Sequence, residues 1–87
     1  MNKKLIVISA VWCPSCLILN KHLKKLNEDI NIEIEKLDYD LDEDFVEEYN
    51  VGEKLPVFIF FDEDKEIGRL IGEKSLDEIK KYIEELN

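Results

Sequence analysis

Leu5-Ile6-Val7-Ile8-Ser9-Ala10-Val11-Trp12-Cys13-Pro14-Ser15-Cys16 is the stretch whose reading decides the architecture. Its first four residues form a continuous apolar run rich in β-branched side chains, the pattern of a central strand covered on both faces. Pro14 fits the first position of a helix, where a missing N–H costs nothing. Beyond it, Cys16, Leu19, Leu23, Leu26 and Ile30 recur at steps of three and four, which marks one helix face. The spacing predicts a helix from Pro14 to Asn27 or Glu28 with Cys13 at its N-cap.

That placement has chemical consequences. An N-cap side chain faces the free N–H groups of the first turn and the positive end of the helix dipole. Both favour a thiolate at Cys13, and the thiolate is the attacking species. Cys16 lies one turn further in, close enough to resolve a mixed disulfide and expected to be the more shielded of the two. Two other readings stay open on the residues alone. A structural zinc site wants four ligands, and beyond this pair only His22 and acids are on offer. His22 falls opposite the Leu19–Leu23–Leu26 stripe and reads as a solvated surface residue, so no metal is expected. An inert buried pair would not need a proline-initiated C-x-x-C, whereas that motif beside a strand–helix–strand pattern reads as redox-active.

Working outward, Ile30, Ile32 and Ile34 alternate with Asn31, Glu33 and Glu35, a strand whose charges suit a sheet edge. Asp42, Glu43 and Asp44 open a short helix carrying Phe45, Val46 and Tyr49. Pro56 begins the apolar strand Val57 to Phe61, since proline is tolerated as a strand's first residue. Asp62 to Lys65 read as a tight polar turn, and Glu66 to Ile71 as the returning hairpin strand. Ser75 and Glu78 form a capping box ahead of a helix that buries Leu76, Ile79, Ile83 and Leu86, with Tyr82 beside them. The order is βαβαββα, an α/β fold with a four-stranded mixed sheet flanked by three helices. The right-handed crossover makes the first two strands parallel neighbours.

The 87 residues are expected to make one domain, residues 1–87. Residues 1–27 hold five lysines and no acid, a charge of +5, while the other sixty carry all 21 acids against seven bases, a balance of −14. An acidic surface argues against nucleic acid as a partner. Lys21, Lys24 and Lys25 complement the C-terminal end of a helix dipole, with a docking patch as the alternative. No apolar stretch approaches the ~18 residues of a membrane span, and the N-terminus lacks the pattern of an export signal. A cytoplasmic protein, in a compartment that keeps thiols reduced, is expected.

The chain resembles a minimal thioredoxin-fold protein over almost its full length. Trp12-Cys13 resembles the thioredoxin active site, and Cys13-Pro14-x-Cys16 is closer to the glutaredoxin version. Tyr49-Asn50-Val51 with Leu55-Pro56 is similar to the stretch leading into the family's cis-proline, and Gly72 matches a glycine bordering its substrate groove. The resemblance implies a groove formed by Trp12, Pro14, Ser15, Leu55, Pro56 and Gly72. A cis bond at Pro56 would set the Leu55 backbone beside Cys13. It further implies that Asp40 accepts the Trp12 indole N–H, with solvation of a loop as the alternative role for Asp38 and Asp40.

Two departures stand out. The position of the thioredoxin family's buried aspartate, beneath the resolving cysteine, is Val7 here. The glycine pair and aspartate that help glutaredoxins hold glutathione are absent, because Gly72 is followed by Glu73 and Lys74. The expected function is thiol–disulfide oxidoreduction with Cys13 attacking and Cys16 resolving, with no bound cofactor. Disulfide-containing proteins are the implied substrates of this monomer, and a thioredoxin-reductase-like enzyme or glutathione the implied reductant. A glutathione-dependent glutaredoxin and a binding module with an idle cysteine pair are the alternatives.

Overall fold

The computed structural model describes residues 3–29 and 32–86, apart from the side chains of Ser15, Asn20 and Asp29. Strand β1 spans Lys3–Ser9 and helix α1 Pro14–Asp29; β2 is Glu33–Asp38 and α2 Glu43–Glu48. They are followed by β3 at Val57–Asp62, β4 at Lys65–Ile71 and α3 at Leu76–Leu86. The sheet order is β2-β1-β3-β4. β1 runs parallel to β2 and antiparallel to β3, which pairs antiparallel with β4. This is the four-stranded mixed sheet with three helices that the sequence predicts.

Alternation along the two central strands divides the core. Leu5 and Val7 of β1 and Phe58 and Phe60 of β3 pack with Leu19, Leu23 and Leu26 of α1 and Ile79 and Ile83 of α3. Ile6, Ile8, Val57, Ile59 and Phe61 point the other way, towards Phe45 and Val46 of α2. Both faces are covered, which is why Leu5 to Ile8 can be apolar without a break. Burying one such large side chain contributes roughly 1.5–3 kcal/mol. Helix α1 serves both layers: Leu19, Leu23 and Leu26 join the first cluster, while Cys16 in its first turn joins the second with Cys13.

Several boundaries differ from the sequence reading. α1 continues to Asp29, beyond the expected Asn27 or Glu28. β2 starts at Glu33 and continues to Asp38, because its partner is the length of β1 rather than the isoleucine alternation. Ile30 and Asn31 lie outside the described residues. Tyr49 caps α2 rather than lying in it. The β3–β4 turn is only Glu63-Asp64, with Asp62 and Lys65 paired across it and Glu63 left-handed at φ 59°. In α3, the Glu78 N–H donates to Ser75 Oγ at 3.2 Å, one arm of the expected capping box. Ile79 and Ile83 are buried there, whereas Leu76 and Leu86 are only partly covered.

His22 is a correction. It is partly buried rather than solvated, and its Nδ1 is buried without a hydrogen-bond partner. The helical wheel places it away from the leucine stripe, but the loop after β4 folds over it. Ile18, Leu19, His22, Pro56, Glu73 and Lys74 line one small cleft.

Candidate active site

The site lies where β1 ends. A turn closed by the Cys13 N–H donating to the Ala10 carbonyl at 3.2 Å carries Val11 and Trp12 outward. Pro14 then starts α1, and the Cys16 N–H donates back to the Cys13 carbonyl at 3.1 Å. Cys13 therefore precedes the helix directly and Cys16 occupies its first turn. Both are free thiols. The Ser15 side chain lies outside the described residues; its backbone is in the helix.

The segment before β3 closes over the pair. The Leu55–Pro56 peptide bond is cis, and the Cys13 thiol donates to the Leu55 carbonyl at 3.8 Å. The Gly72 N–H donates to the Pro56 carbonyl at 2.8 Å, which ties the end of β4 to the same segment. Gly72 has φ +91°, a conformation that favours glycine, and a Cβ there would also meet the Lys54 side chain at 3.1 Å. Cys13, Cys16, Leu55, Pro56 and Gly72 are thus brought together, with Pro14 exposed beside them.

Cys16, 3% exposed, is the more shielded thiol as expected, but by a small margin, since Cys13 is itself only 7% exposed. Val51 and Leu55, themselves buried, share its cluster, and the Leu55 carbonyl accepts from its thiol. Cys16 pays electrostatically for its place. Burial pushes its thiol up to about 11 from 9.0, and a hydrogen bond with the Cys13 side chain adds to the rise, while a backbone hydrogen bond at Ala10 opposes it. Among the described residues no acidic side chain is buried. Val7, fully buried, packs in the cluster on the other face of the sheet from that of Cys16. A proton leaving Cys16 has no buried carboxylate among the described residues to receive it.

Trp12 is held from one side. Its indole Nε1–H donates to Asp40 Oδ2 at 2.9 Å. Asp40 is positioned by its loop: Asp38 Oδ1 accepts the N–H groups of Asp40 and Leu41 at 2.8 and 3.2 Å, and the Asp38 N–H donates to Asp42 Oδ2 at 2.8 Å. Tyr39, to which the sequence reading gives no role, packs edge-on to Trp12 with centroids 6.2 Å apart. An aromatic residue between two loop acids is the available signal. Replacing Asp40 by Ala removes the acceptor and should lower kcat/KM for a protein disulfide about 3- to 10-fold, the scale of one hydrogen bond. Trp12 is the sole tryptophan, so its fluorescence anisotropy should fall in D40A and be retained in D40N, whose amide oxygen can still accept.

No group of three or more His, Cys, Asp or Glu side chains is arranged to hold a metal ion among the described residues. None of their helices is long and apolar enough to cross a membrane.

The thioredoxin family model matches residues 1–85. The chain belongs to the thioredoxin family. It is 36% identical to thioredoxin H2 of Arabidopsis thaliana over 87 residues, covering 98% of this chain and 64% of that relative's length. The oxidized mitochondrial thioredoxin 3 of Saccharomyces cerevisiae superposes with a TM-score of 0.87 at 28% identity, over 97% of this chain and 78% of the other. A mutant thioredoxin of Halobacterium salinarum shares the fold at a TM-score of 0.91 and 24% identity, over 98% of this chain and 74% of the other.

Proposed function

We propose that this thioredoxin-family protein is a thiol–disulfide oxidoreductase that exchanges protein disulfides through Cys13 and Cys16. The observation that carries the reading is the placement of two free thiols together at the start of α1, with the Cys13 thiol donating to the Leu55 carbonyl. Family membership supports the same general chemistry.

Cys13 as thiolate attacks one sulfur of the substrate disulfide. A Cys13–substrate disulfide forms, the substrate S–S bond breaks, and the departing thiolate takes a proton from water. Cys16 then loses its proton to solvent and attacks Cys13 Sγ, which breaks the Cys13–substrate bond and releases a second substrate thiolate that takes a proton from water. The protein is left with a Cys13–Cys16 disulfide, and the substrate with two thiols. Two electrons have passed from protein to substrate. A thioredoxin-reductase-like enzyme or glutathione returns them. Trp12, Pro14, Ser15, Leu55, Pro56 and Gly72 border the substrate, which pairs in extended form with the Leu55 backbone, and Asp40 supports Trp12. We place this reaction in the cytoplasm, with the protein acting as a single-domain monomer.

Insulin reduction tests the proposal when the protein is recycled separately by NADPH with a thioredoxin reductase, by glutathione with its reductase, and by dithiothreitol. Turnover above each uncatalysed control is expected in at least one arm. A glutathione-only result would move the reading to a glutaredoxin. Failure in all three arms, dithiothreitol included, would leave a binding module with idle cysteines.

A further inference from the structure

Arg69 is the chain's one arginine, and the reaction above gives it no part. It lies on β4 opposite Ile59, which faces the α2 layer. Two residues three apart on a regular strand face opposite sides of the sheet. Here β4 carries an extra residue between its pairings with Phe60 and Phe61, and this bulge brings Glu66 and Arg69 onto one face. The Arg69 Nε and Nη2 donate to Glu66 Oε2 and Oε1, both at 3.0 Å. A two-pronged pair of this kind fixes the plane of the guanidinium. The remaining nitrogen, Nη1, is thereby aimed at the Tyr49 carbonyl and donates to it at 2.8 Å. The backbone N–H of Arg69 is held from the other side by the Tyr82 hydroxyl of α3 at 3.1 Å.

What Arg69 grips is the end of α2. That helix closes in a Schellman motif: the Val51 N–H donates to the Val46 carbonyl at 2.9 Å and the Asn50 N–H to the Glu47 carbonyl at 3.2 Å, with Asn50 left-handed at φ 52°. These bonds leave the Tyr49 carbonyl over, and Arg69 takes it. The guanidinium also brings the positive charge that favours a helix C-terminus, which α2 lacks in its own last turn. The consequence is directional. A Schellman motif sets how the chain leaves a helix, and this one turns Val51 into the buried cluster that contains Cys13, Cys16 and Leu55. Leu55 follows four residues later, and its carbonyl accepts from the Cys13 thiol. Gly52, Glu53 and Lys54 between them are exposed, so the segment owes its place to its two buried ends.

We infer that Arg69, oriented by Glu66, is a positioning residue of the exchange reaction: through Tyr49 it sets the Val51–Leu55 segment against Cys13, which places the Leu55 backbone where an extended substrate pairs with it. The inference rests on the disulfide-exchange reading above and adds to it a residue outside the groove.

The test uses the whole chain with Arg69→Met, which keeps an apolar stem and removes every donor. Two ratios are read, so that any loss of folded protein cancels. The first is kcat/KM for insulin over kcat/KM for 2-hydroxyethyl disulfide, a substrate too small to need the Leu55 backbone. It should fall about tenfold, the scale of a lost charge-assisted hydrogen bond, with the change in the insulin KM. The second is the iodoacetamide alkylation rate of Cys13 over that of Cys16, read by peptide mass spectrometry. It should rise about threefold or more, because local opening of the segment frees the thiol that the Leu55 carbonyl holds. Arg69→Lys can still donate to Tyr49 and should recover most of both ratios. Glu66→Gln weakens the fork and should move both in the Arg69→Met direction by a smaller factor. Ile83→Val thins the core layer on the other face of the sheet and serves as the stability control, with both ratios at wild-type values. Wild-type ratios in Arg69→Met would overturn the inference, as would the same shifts in Ile83→Val or no recovery in Arg69→Lys. Should Arg69→Met fail to fold by circular dichroism, Glu66→Gln decides, and wild-type ratios there overturn the inference equally. If wild type reduces both substrates and the ratios hold, only the assignment of Arg69 fails; if wild type reduces neither, the exchange reading fails and takes Arg69 with it.

Discussion

Cys16→Ser should accumulate covalent adducts with disulfide substrates, while Cys13→Ser should form none and lose turnover entirely. The asymmetry follows from which thiol meets the substrate segment. Cys13 precedes α1 and is the thiol bonded to the Leu55 carbonyl, beside the backbone an extended substrate would pair with. Removing it removes the attacking sulfur. Removing Cys16 leaves attack intact but deletes the group that expels the substrate, so the mixed disulfide persists. Each single variant should fall at least a thousandfold in insulin turnover. Non-reducing gel electrophoresis and mass spectrometry would show the adduct, with dithiothreitol releasing it. Adducts on Cys13→Ser and none on Cys16→Ser would reverse the roles. Adducts on neither, with wild type active, would remove the exchange mechanism.

The positions on which the proposed roles rest can be read from sequence because they depend on local order. A strand, a turn, a proline and a 3.6-residue periodicity place Cys13 before the helix and Cys16 within it, without any long-range contact. The burial of Cys13 is a different matter. Its buried cluster includes Val51 and Leu55, and the Cys13–Leu55 contact spans 42 residues. Nothing near the motif encodes that cover. His22 escapes sequence reasoning for the same reason: a helical wheel knows only its own helix, and the cleft around this imidazole is completed by Pro56, Glu73 and Lys74. The Trp12–Asp40 bond is within reach only through the family resemblance, since residues 28 apart share no local pattern.

The strands show the same division. β1 and β3 are legible because central strands buried on both faces read as unbroken apolar runs. β2 is legible in kind but not in extent. Charged residues alternate with one apolar residue on each face, Ile34 and Leu37, and its pairing runs alongside β1 to Leu37 and Asp38. Val7 carries the sharpest lesson. The family resemblance marks its position as that of an acid, but alternation along β1 puts its side chain in the α1–α3 layer, opposite the cluster that holds Cys16. The resemblance says that a carboxylate is missing; only the fold shows which layer it is missing from.

The pH dependence of Cys16 should be steep and late. With its thiol pushed up to about 11, about one molecule in ten thousand carries the Cys16 thiolate at pH 7, since each unit of separation is a factor of ten. Alkylation of Cys16 by iodoacetamide, followed by peptide mass spectrometry, should therefore accelerate about tenfold per pH unit from 7 to 10. A plateau at or below pH 9 would contradict the assignment. Burial is the largest cause, and the hydrogen bond and charge of Cys13 are the others that raise it. A Cys13→Ala protein should accordingly titrate Cys16 below 11 but still above 9.0. The mixed disulfide resembles that variant, because Cys13 then has no thiolate to accept the Cys16 hydrogen bond or to carry charge. Formation of the adduct itself thus eases deprotonation of the resolving thiol, and solvent completes it. Stability carries the same sign. The folded state holds this proton more tightly than the unfolded chain, so the contribution is fully present below pH 9.0 and is lost as pH rises towards about 11. Urea midpoints of wild type should decline across that window more than those of Cys16→Ala, in which this titration is absent; parallel declines would place the raised proton affinity elsewhere.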